Sequence, residues 1–282
     1  KLINYRNYKN LDIDFSKSVN IIYGNNAQGK TNIVESIYLC ASGRSHRTSK
    51  DSELIKNSEN GFYVKLTLCK NETEGQIEIA YSLGERKRIR INELPVKRLA
   101  DLMGHLNAVM FSPEDLTIIK HGPSERRRFA DITLSQLKPS YFHDLQQYSK
   151  ILYQRNTLLK SIPERKELED TLPVWDGHLA RTGSRIMKAR HDFIKKLDGF
   201  AKKRHGLLTG GKENLTLKYE PSFECDFSMS EAELEQKILK LLAGNRRIEI
   251  SKGVSIIGPH RDDINILLNG ESTKVFGSQG QQ

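Results

Sequence analysis

The stretch GNNAQGKT, residues 24–31, is the part of the sequence whose residue types point most directly to chemistry. It fits the pattern G-x-x-x-x-G-K-[ST], in which glycines let the backbone wrap a phosphate while successive N–H groups point inward. Lys30 is expected to reach the β- and γ-phosphates of ATP, and the Thr31 hydroxyl to ligate a bridging Mg²⁺. The predicted nucleotide site consists of Gly24, Asn25, Asn26, Ala27, Gln28, Gly29, Lys30, Thr31 and Asn32. The alternative is a glycine turn followed by an exposed lysine.

A strand and a helix must hold the two ends of this loop. Residues 19–23 form a compact apolar run, which is typical of a fully buried strand. Ile33, Ile37 and Tyr38 lie at helical spacing after the loop. The N-terminus of that helix would add partial positive charge beside the phosphates. The local pattern therefore predicts strand, loop and helix in this order.

The rest of the chain divides into regions of different periodicity. Residues 11–15 alternate like a half-buried strand, and residues 62–98 predict meandering antiparallel strands. Long helices are expected from about residue 113 to 253, with Ser124 capping one and Pro139 opening another. Strand character then returns, and Asn269-Gly270 favours a hairpin. We therefore predict an α/β portion interrupted by a mainly helical insertion.

Composition limits the class of protein. Among 282 residues, 45 Lys and Arg face 35 Asp and Glu, which gives a net charge of +10 and favours a nucleic-acid or phosphate partner. The three cysteines are far apart and predict neither a disulfide nor a metal site. No apolar run approaches the roughly 20 residues of a membrane span, so we expect a cytoplasmic protein without a membrane partner.

Two basic stretches are candidates for DNA contact. Arg86 and Arg88 lie on one face of a predicted strand. Arg181, Arg185 and Lys188 lie on a predicted helix, opposite its apolar side. Charged faces are usually only solvated, which is the alternative here. Since no base-reading motif is present, binding would be directed to the backbone and sensitive to salt.

Several stretches in order along the chain together resemble one known family. They are NYRNYKNL, YGNNAQGKTNIVESIYL, GRSHRTSKDSELI, MFSPEDL, GPSERRRF, IGPHRDD and FGSQGQQ. This combination resembles the bacterial RecF family, relatives of the SMC and ABC-type ATPases. The resemblance implies an ABC/SMC-type P-loop ATPase head of α/β class, with residues 1–112 and 253–282 in one lobe and a mainly helical lobe at 113–252.

The same resemblance implies function and partners. The family binds ATP and DNA, forms a homodimer when ATP is bound, and helps load a recombinase at single-strand gaps with the RecO and RecR mediator proteins. By this likeness the closing FGSQGQQ, residues 276–282, is the start of a signature loop that contacts the partner subunit's ATP through Ser278 and Gly280. Its small hydroxyl and bare glycine N–H suit an anion.

Further site residues follow from the resemblance, each with a plainer alternative. Arg6, between Tyr5 and Asn7, would border the adenine, or it would lie on a strand with exposed polar residues. Glu114 would take the place of a loop that senses Mg²⁺, or it would cap a helix. Arg44 and Arg47 would contact phosphate, or they would lie in a solvated loop. His260 and its neighbours are interpreted as family-specific structure.

The family's Walker B strand and histidine switch have no counterpart up to Gln282. We therefore expect the chain to be a piece of a longer protein. A DNA-stimulated ATPase activity is expected of the full-length protein, whereas this piece would hydrolyse ATP poorly because no carboxylate positions the attacking water. The alternative is a nucleotide-binding module that does not hydrolyse ATP.

Overall fold

The computed structural model describes residues 1–70 and 72–276, without the side chains of residues 70, 113, 114, 275 and 276. It divides into two compact units, residues 1–110 and 111–282. Over the described residues, no helix combines the length and the apolar character that crossing a membrane requires.

The first unit is a six-stranded sheet with one long helix. In chain order its elements are β1 Leu2–Tyr5, β2 Tyr8–Leu11, α1 Lys30–Ser42, β3 Gly61–Lys70, β4 Thr73–Ser82, β5 Arg88–Ile91 and β6 Leu94–Pro95. The strands lie in the order β2-β1-β3-β4-β5-β6, and every neighbouring pair is antiparallel. The predicted antiparallel meander over residues 62–98 is therefore confirmed.

Strand register places the apolar side chains of this sheet on one face. Val64 lies opposite Ile79, which in turn lies opposite Ile89. These side chains and Leu39 and Cys40 of α1 belong to one buried cluster. Burial of this cluster removes apolar surface from water, which holds α1 against the sheet. The loop before α1 is thereby held near the sheet as well.

The predicted buried strand over residues 19–23 is wrong. This segment forms no strand, and Val19, Ile21 and Tyr23 are 79%, 80% and 89% exposed. A fully buried strand needs hydrogen-bonding neighbours and cover on both faces. Within the described residues no strand lies beside it. The half-buried strand expected over residues 11–15 is also wrong, since β2 ends at Leu11.

The second unit is built mainly of helices. They are α2 Thr117–Lys120, α3 Pro123–Leu137, α4 Pro139–Ser161, α5 Leu172–Thr209, α6 Glu231–Lys252 and α7 Thr273–Phe276. Tyr148, Leu179, Ile186 and Ile238 form part of the core that α4, α5 and α6 share. The predicted long helices are confirmed, and α4 opens at Pro139 as expected.

One predicted cap differs in the structure. Helix α3 begins at Pro123, and its cap position is Gly122, two residues before the expected cap Ser124. Gly122 has no side chain to accept a hydrogen bond. Proline tolerates this first helical position because its missing N–H would have no helical partner there. Ser124 therefore lies inside the first turn and does not cap the helix.

A small sheet completes this unit. Its strands β7 Leu215–Glu220, β8 Asp263–Leu268 and β9 Glu271–Ser272 are antiparallel neighbours in that order. Strand β7 lies within residues 113–253, where the sequence predicts mainly helices. The hairpin turn at Asn269-Gly270 is confirmed, with φ values of +52° and +86°. The lobe boundaries, including the return of residues 253–282 to the P-loop lobe, stay a prediction.

Candidate nucleotide-binding site

The phosphate loop lies directly before α1, as the motif requires. Gly29 precedes the first helical residue with a φ of +97°, and Gly24 has a φ of +144°. Both values lie in the region that favours glycine. Among residues 1–70 and 72–276, none accepts a hydrogen bond from the backbone N–H groups of residues 25–29. Residues 24–28 are exposed, so the N–H groups of residues 25–28 are available to an anion.

Lys30 folds back over this loop. Its Nζ donates to the carbonyl oxygens of Gly24 and Asn25, both at 2.7 Å. The ammonium group is thus held at the loop and can exchange carbonyl partners for phosphate oxygens. This geometry fits the role that the motif predicts for Lys30.

Thr31 is exposed in the first turn of α1, where its hydroxyl can reach a metal ion held by phosphates. In the described part of the chain, no group of three or more His, Cys, Asp and Glu residues lies close enough to hold a metal. A Mg²⁺ ion at Thr31 would take further ligands from the nucleotide phosphates and water, as is usual for this ion.

The tip of the β1–β2 hairpin closes the loop from one side. A methyl group added at Gly29 would lie 2.5 Å from Asn7 Oδ1 and 2.8 Å from the Tyr8 hydroxyl oxygen. Tyr8 also donates its hydroxyl proton to the Gln28 carbonyl at 3.2 Å. Partial burial raises the pKa of Tyr8, so the hydroxyl keeps the proton that it donates. Sequence reasoning missed Tyr8.

Arg6 makes a different contact from the one that the resemblance implies. Its Nε and Nη2 donate to the two carboxylate oxygens of Glu35 at 2.9 and 2.6 Å, and its Nη1 donates to the Glu53 carbonyl at 2.8 Å. Glu35 is fully buried on α1. The guanidinium is thus engaged in a two-point ion pair, and its contact with adenine stays a prediction.

The pKa values of this pair follow from its surroundings. Burial acts to raise the pKa of Glu35, but hydrogen bonds from Arg6 and Ser45 outweigh burial and lower it. The same hydrogen bond raises the pKa of Arg6. Both groups are therefore charged at neutral pH. One feature of the sequence could have indicated this pair. Glu35 occupies a buried position of α1, where an apolar residue is usual, so a buried cation was to be expected beside it.

Loop 44–48 joins the same network. Arg47 Nη1 donates to Asn32 Oδ1 at 3.1 Å and lies 3.8 Å from Glu35, and the Ser45 hydroxyl donates to Glu35 at 2.5 Å. Asn32 Nδ2 in turn donates to Asn7 Oδ1 at 2.9 Å. Arg44 is exposed. The structure thus brings together three chain segments around the first turns of α1.

The basic strand shows the predicted two faces. Arg88 is exposed on β5 while Ile89 is buried, and Arg86 is exposed just before the strand. Arg88 lies 3.6 Å from Glu85 in an exposed ion pair, which contributes little to stability. Both arginines are accessible to a polyanion, and their contact with DNA stays a prediction.

On α5, the three predicted DNA-binding residues have protein partners. Arg181 lies 3.5 Å from Glu235, and Arg185 lies 3.0 Å from Glu231. Lys188 Nζ donates to the Met229 carbonyl. Four exposed cations further along α5 form no ion pair within the described residues: Lys195, Lys196, Lys203 and Arg204. Counting charges along α5 could not separate these two groups, because the acidic partners come from α4 and α6.

Three predicted site residues cannot be placed. Ser278 and Gly280 lie outside the described residues, and so does the side chain of Glu114. Their roles stay predictions.

His260 belongs to a buried polar cluster of the second unit. Its Nδ1 lies 2.6 Å from the Tyr148 hydroxyl oxygen, and its Nε2 lies 3.0 Å from the Ser255 carbonyl oxygen. Nearby, Arg126 donates to both carboxylate oxygens of Asp263 at 2.7 and 2.9 Å. The motifs GPSERRRF and GPHRDD are therefore paired in space, which supports the structural interpretation of the second motif.

A phosphate loop with free amides, followed by the helix that carries the lysine and threonine, defines a P-loop nucleotide-binding protein. The family model described as an AAA domain matches residues 1–241. The chain is 55% identical over 281 residues to the DNA replication and repair protein RecF of Acetivibrio thermocellus, covering 100% of this chain and 76% of the relative. It is 50% identical to RecF of Ruminiclostridium cellulolyticum, with the same coverage.

Solved structures agree with these relatives. The recombination mediator protein RecF-ATP in the RecFOR pathway is 39% identical, with a TM-score of 0.94 over 99% of this chain and 75% of the other. The RecF-ATPrS structure has a TM-score of 0.93 with the same identity and coverage. The chain belongs to the RecF family. The family and the α/β ATPase fold expected from the sequence are thereby confirmed.

Proposed function

We propose that this protein binds ATP with Mg²⁺ at residues 24–32 and acts in recombinational DNA repair. The observation that carries the proposal is the exposed phosphate loop, whose amides at residues 25–29 donate to no described residue while Lys30 lies over it. Helix α1 contributes its N-terminal dipole to the same site. Solved RecF structures of closely similar fold carry ATP in their names.

DNA is the macromolecule that the charge distribution favours. The net charge is +10, and Lys195, Lys196, Lys203 and Arg204 on α5 lack ion-pair partners within the described residues. When cations bind DNA phosphates they release counterions, which favours binding. Cations without an ion-pair partner can do so without first breaking an ion pair within the protein. Arg86 and Arg88 are separate candidates for DNA contact in the first unit. Arg181, Arg185 and Lys188 would first have to leave their partners, which are Glu235 and Glu231 on α6, Asp144 on α4 and the Met229 carbonyl before α6.

A dimer closed by ATP completes the proposed mechanism. Ser278 and Gly280 of one subunit would contact the nucleotide in the other, so ATP would bring two heads together on DNA at single-strand gaps. Loading of the recombinase there would involve the RecO and RecR mediator proteins. Hydrolysis, stimulated by DNA, would reopen the dimer in the full-length protein.

Calorimetric titration with Mg-ATP tests the nucleotide site. Lys30→Ala removes the ammonium that reaches the phosphates, and we expect affinity to fall at least about tenfold. Lys97→Ala is the control for loss of a lysine charge, because Lys97 is an exposed lysine of the first unit and forms no ion pair within the described residues. Equal ATP affinity in the Lys30 variant and the wild type would refute the site. Turnover measured separately distinguishes an ATPase from a module that only binds.

A further inference from the structure

The phosphate loop has to keep its shape before any nucleotide arrives. Ala27, a residue with a side chain, has a φ of +64°, and Gly29 has a φ of +97°. Such backbone is readily lost unless neighbouring groups hold it. Holding it in advance also improves affinity, because ordering the loop then costs nothing at the moment of binding. The question is which groups hold it.

The tip of the β1–β2 hairpin contacts the loop at consecutive points. Tyr8 donates to the Gln28 carbonyl, and the Asn7 amide lies against Gly29 so closely that a Cβ there would be 2.5 to 2.6 Å from it. Asn7 Oδ1 also accepts from Asn32 Nδ2 at 2.9 Å. One side chain, Asn7, thus touches the last residue of the loop and the first turn of α1.

The tip is itself held in place. Arg6 has a φ of +53°, and its backbone N–H donates to the Leu54 carbonyl at 2.7 Å. Its guanidinium makes the two-point contact with buried Glu35. Lys56 Nζ donates to the Asn7 carbonyl at 3.2 Å. The tip is therefore anchored both to α1 and to residues 53–56, and Asn7 is presented to the loop from a fixed support.

Asn32 completes the arrangement. Its Nδ2 donates to Asn7, while its Oδ1 accepts from Arg47 Nη1 at 3.1 Å. Both ends of the Asn32 amide are used by protein groups. Asn32 was predicted to contact the nucleotide, but in this geometry its side chain serves to connect the hairpin tip and loop 44–48 to the start of α1.

We propose that Asn7 is a positioning residue, which presets the phosphate loop for a triphosphate through its contacts with Gly29 and Asn32. The inference rests on the proposed ATP binding. It assigns Asn7 a role through the loop, toward the phosphate end of the ligand, and no contact with the base.

Two probes test this role by calorimetry: Mg-ATP, and inorganic tripolyphosphate in competition with it. We expect Asn7→Ala to weaken both ligands by the same factor, about tenfold for the loss of one hydrogen bond and its packing. Asn32→Ala should weaken them similarly, and the double variant should lose less than the product of the two single losses. Both single variants remove the shared Asn7–Asn32 hydrogen bond, which the double variant loses only once. Asn10→Ala, an exposed asparagine on the same hairpin, is the control.

Three results would overturn the proposal. One is unchanged ATP affinity in Asn7→Ala. Another is a loss confined to ATP with tripolyphosphate unaffected, which would indicate contact with the nucleoside. The third is a double variant whose loss equals the product of the single losses. If Asn7→Ala unfolds, Asn32→Ala removes the same Asn7–Asn32 hydrogen bond from the other side and should still weaken both ligands equally. Failure of the wild type to bind ATP would instead refute the proposed function.

Discussion

The Arg6 guanidinium and the buried Glu35 carboxylate meet at two points, Nε to Oε2 at 2.9 Å and Nη2 to Oε1 at 2.6 Å. This pair joins a hairpin tip to the helix that follows the phosphate loop. Both partners are largely removed from water, with side chains 19% and 0% exposed. A buried charge without its partner is costly in free energy. Positions of the hairpin that separate Arg6 from Glu35 are therefore disfavoured, and the pair fixes the hairpin on α1.

Replacing Arg6 by Ala should therefore destabilise the protein strongly. It leaves the Glu35 carboxylate buried with only Ser45 and Arg47 near it, and we expect the free energy of unfolding to fall by about 2–4 kcal/mol. Urea denaturation measures this change. Arg44→Ala in the neighbouring exposed loop is the control and should change stability by less than about 0.5 kcal/mol. Similar midpoints for the two variants would show that the pair contributes nothing.

The free cations of α5 should bind DNA. The test variant replaces Lys196 and Lys203 by Glu. The control variant replaces Lys166 and Lys240 by Glu, which changes the net charge by the same amount. Lys166 and Lys240 are also exposed and form no ion pair within the described residues, but they lie on other elements. We expect the first double variant to lose at least about tenfold in affinity for a gapped duplex at 0.1 M salt, with a shallower salt dependence. Fluorescence anisotropy at several salt concentrations measures both. Equal losses in the two double variants would mean that only net charge matters.

Stability should fall on mild acidification because of His260. Burial, together with the cations Arg261, Arg127 and Arg155, lowers the pKa of His260 to about 4, against the hydrogen bond to Ser255. The unfolded chain, with a histidine pKa of about 6.5, binds the proton first. As pH falls from about 6.5 to about 4, this group therefore removes up to about 3 kcal/mol of stability, and below about pH 4 it removes no more.

Urea denaturation at several pH values checks this window. The difference in free energy of unfolding between wild type and His260→Asn isolates the histidine, because other groups contribute to both proteins. Among these is Asp262, whose pKa burial raises, so that its contribution to stability changes with pH in the opposite direction. A difference that stays constant from pH 4 to pH 7 would contradict the assignment.

Dimerisation should depend on the closing loop. Ser278→Arg places a long cation where the partner subunit's nucleotide is expected, so ATP binding should survive in each subunit while the ATP-induced dimer fails. Sizing chromatography with multi-angle scattering, with and without Mg-ATP, measures this. Lys274→Arg, a nearby exposed cation with its charge kept, is the control. A Ser278 variant that still dimerises with ATP would refute the arrangement in trans.

Local patterns were sufficient for the elements whose determinants are close in sequence. The phosphate loop, the start of α1 and the long helices α4, α5 and α6 depend on glycine conformation, helix periodicity and proline at the first turn. The roles of Lys30 and Thr31 were predicted for the same reason, and they stay predictions. The prediction failed at residues 19–23, because apolar composition indicates a buried strand only where neighbouring strands are present to pair with it.

The remaining features required contacts between distant residues. Periodicity places Arg185 on a basic helix face, but its partners Glu231 and Asp144 come from other helices. Likewise, sequence types indicate the phosphate loop, whereas the approach of Asn7 and Tyr8 to Gly29 depends on a hairpin about 20 residues earlier and on the Arg6–Glu35 pair that anchors it. The sequence alone determined which residues are expected to bind phosphate, because backbone conformation and charge are local properties. The tertiary structure decided what holds the loop in shape, because packing and ion pairing join residues that are far apart in the sequence.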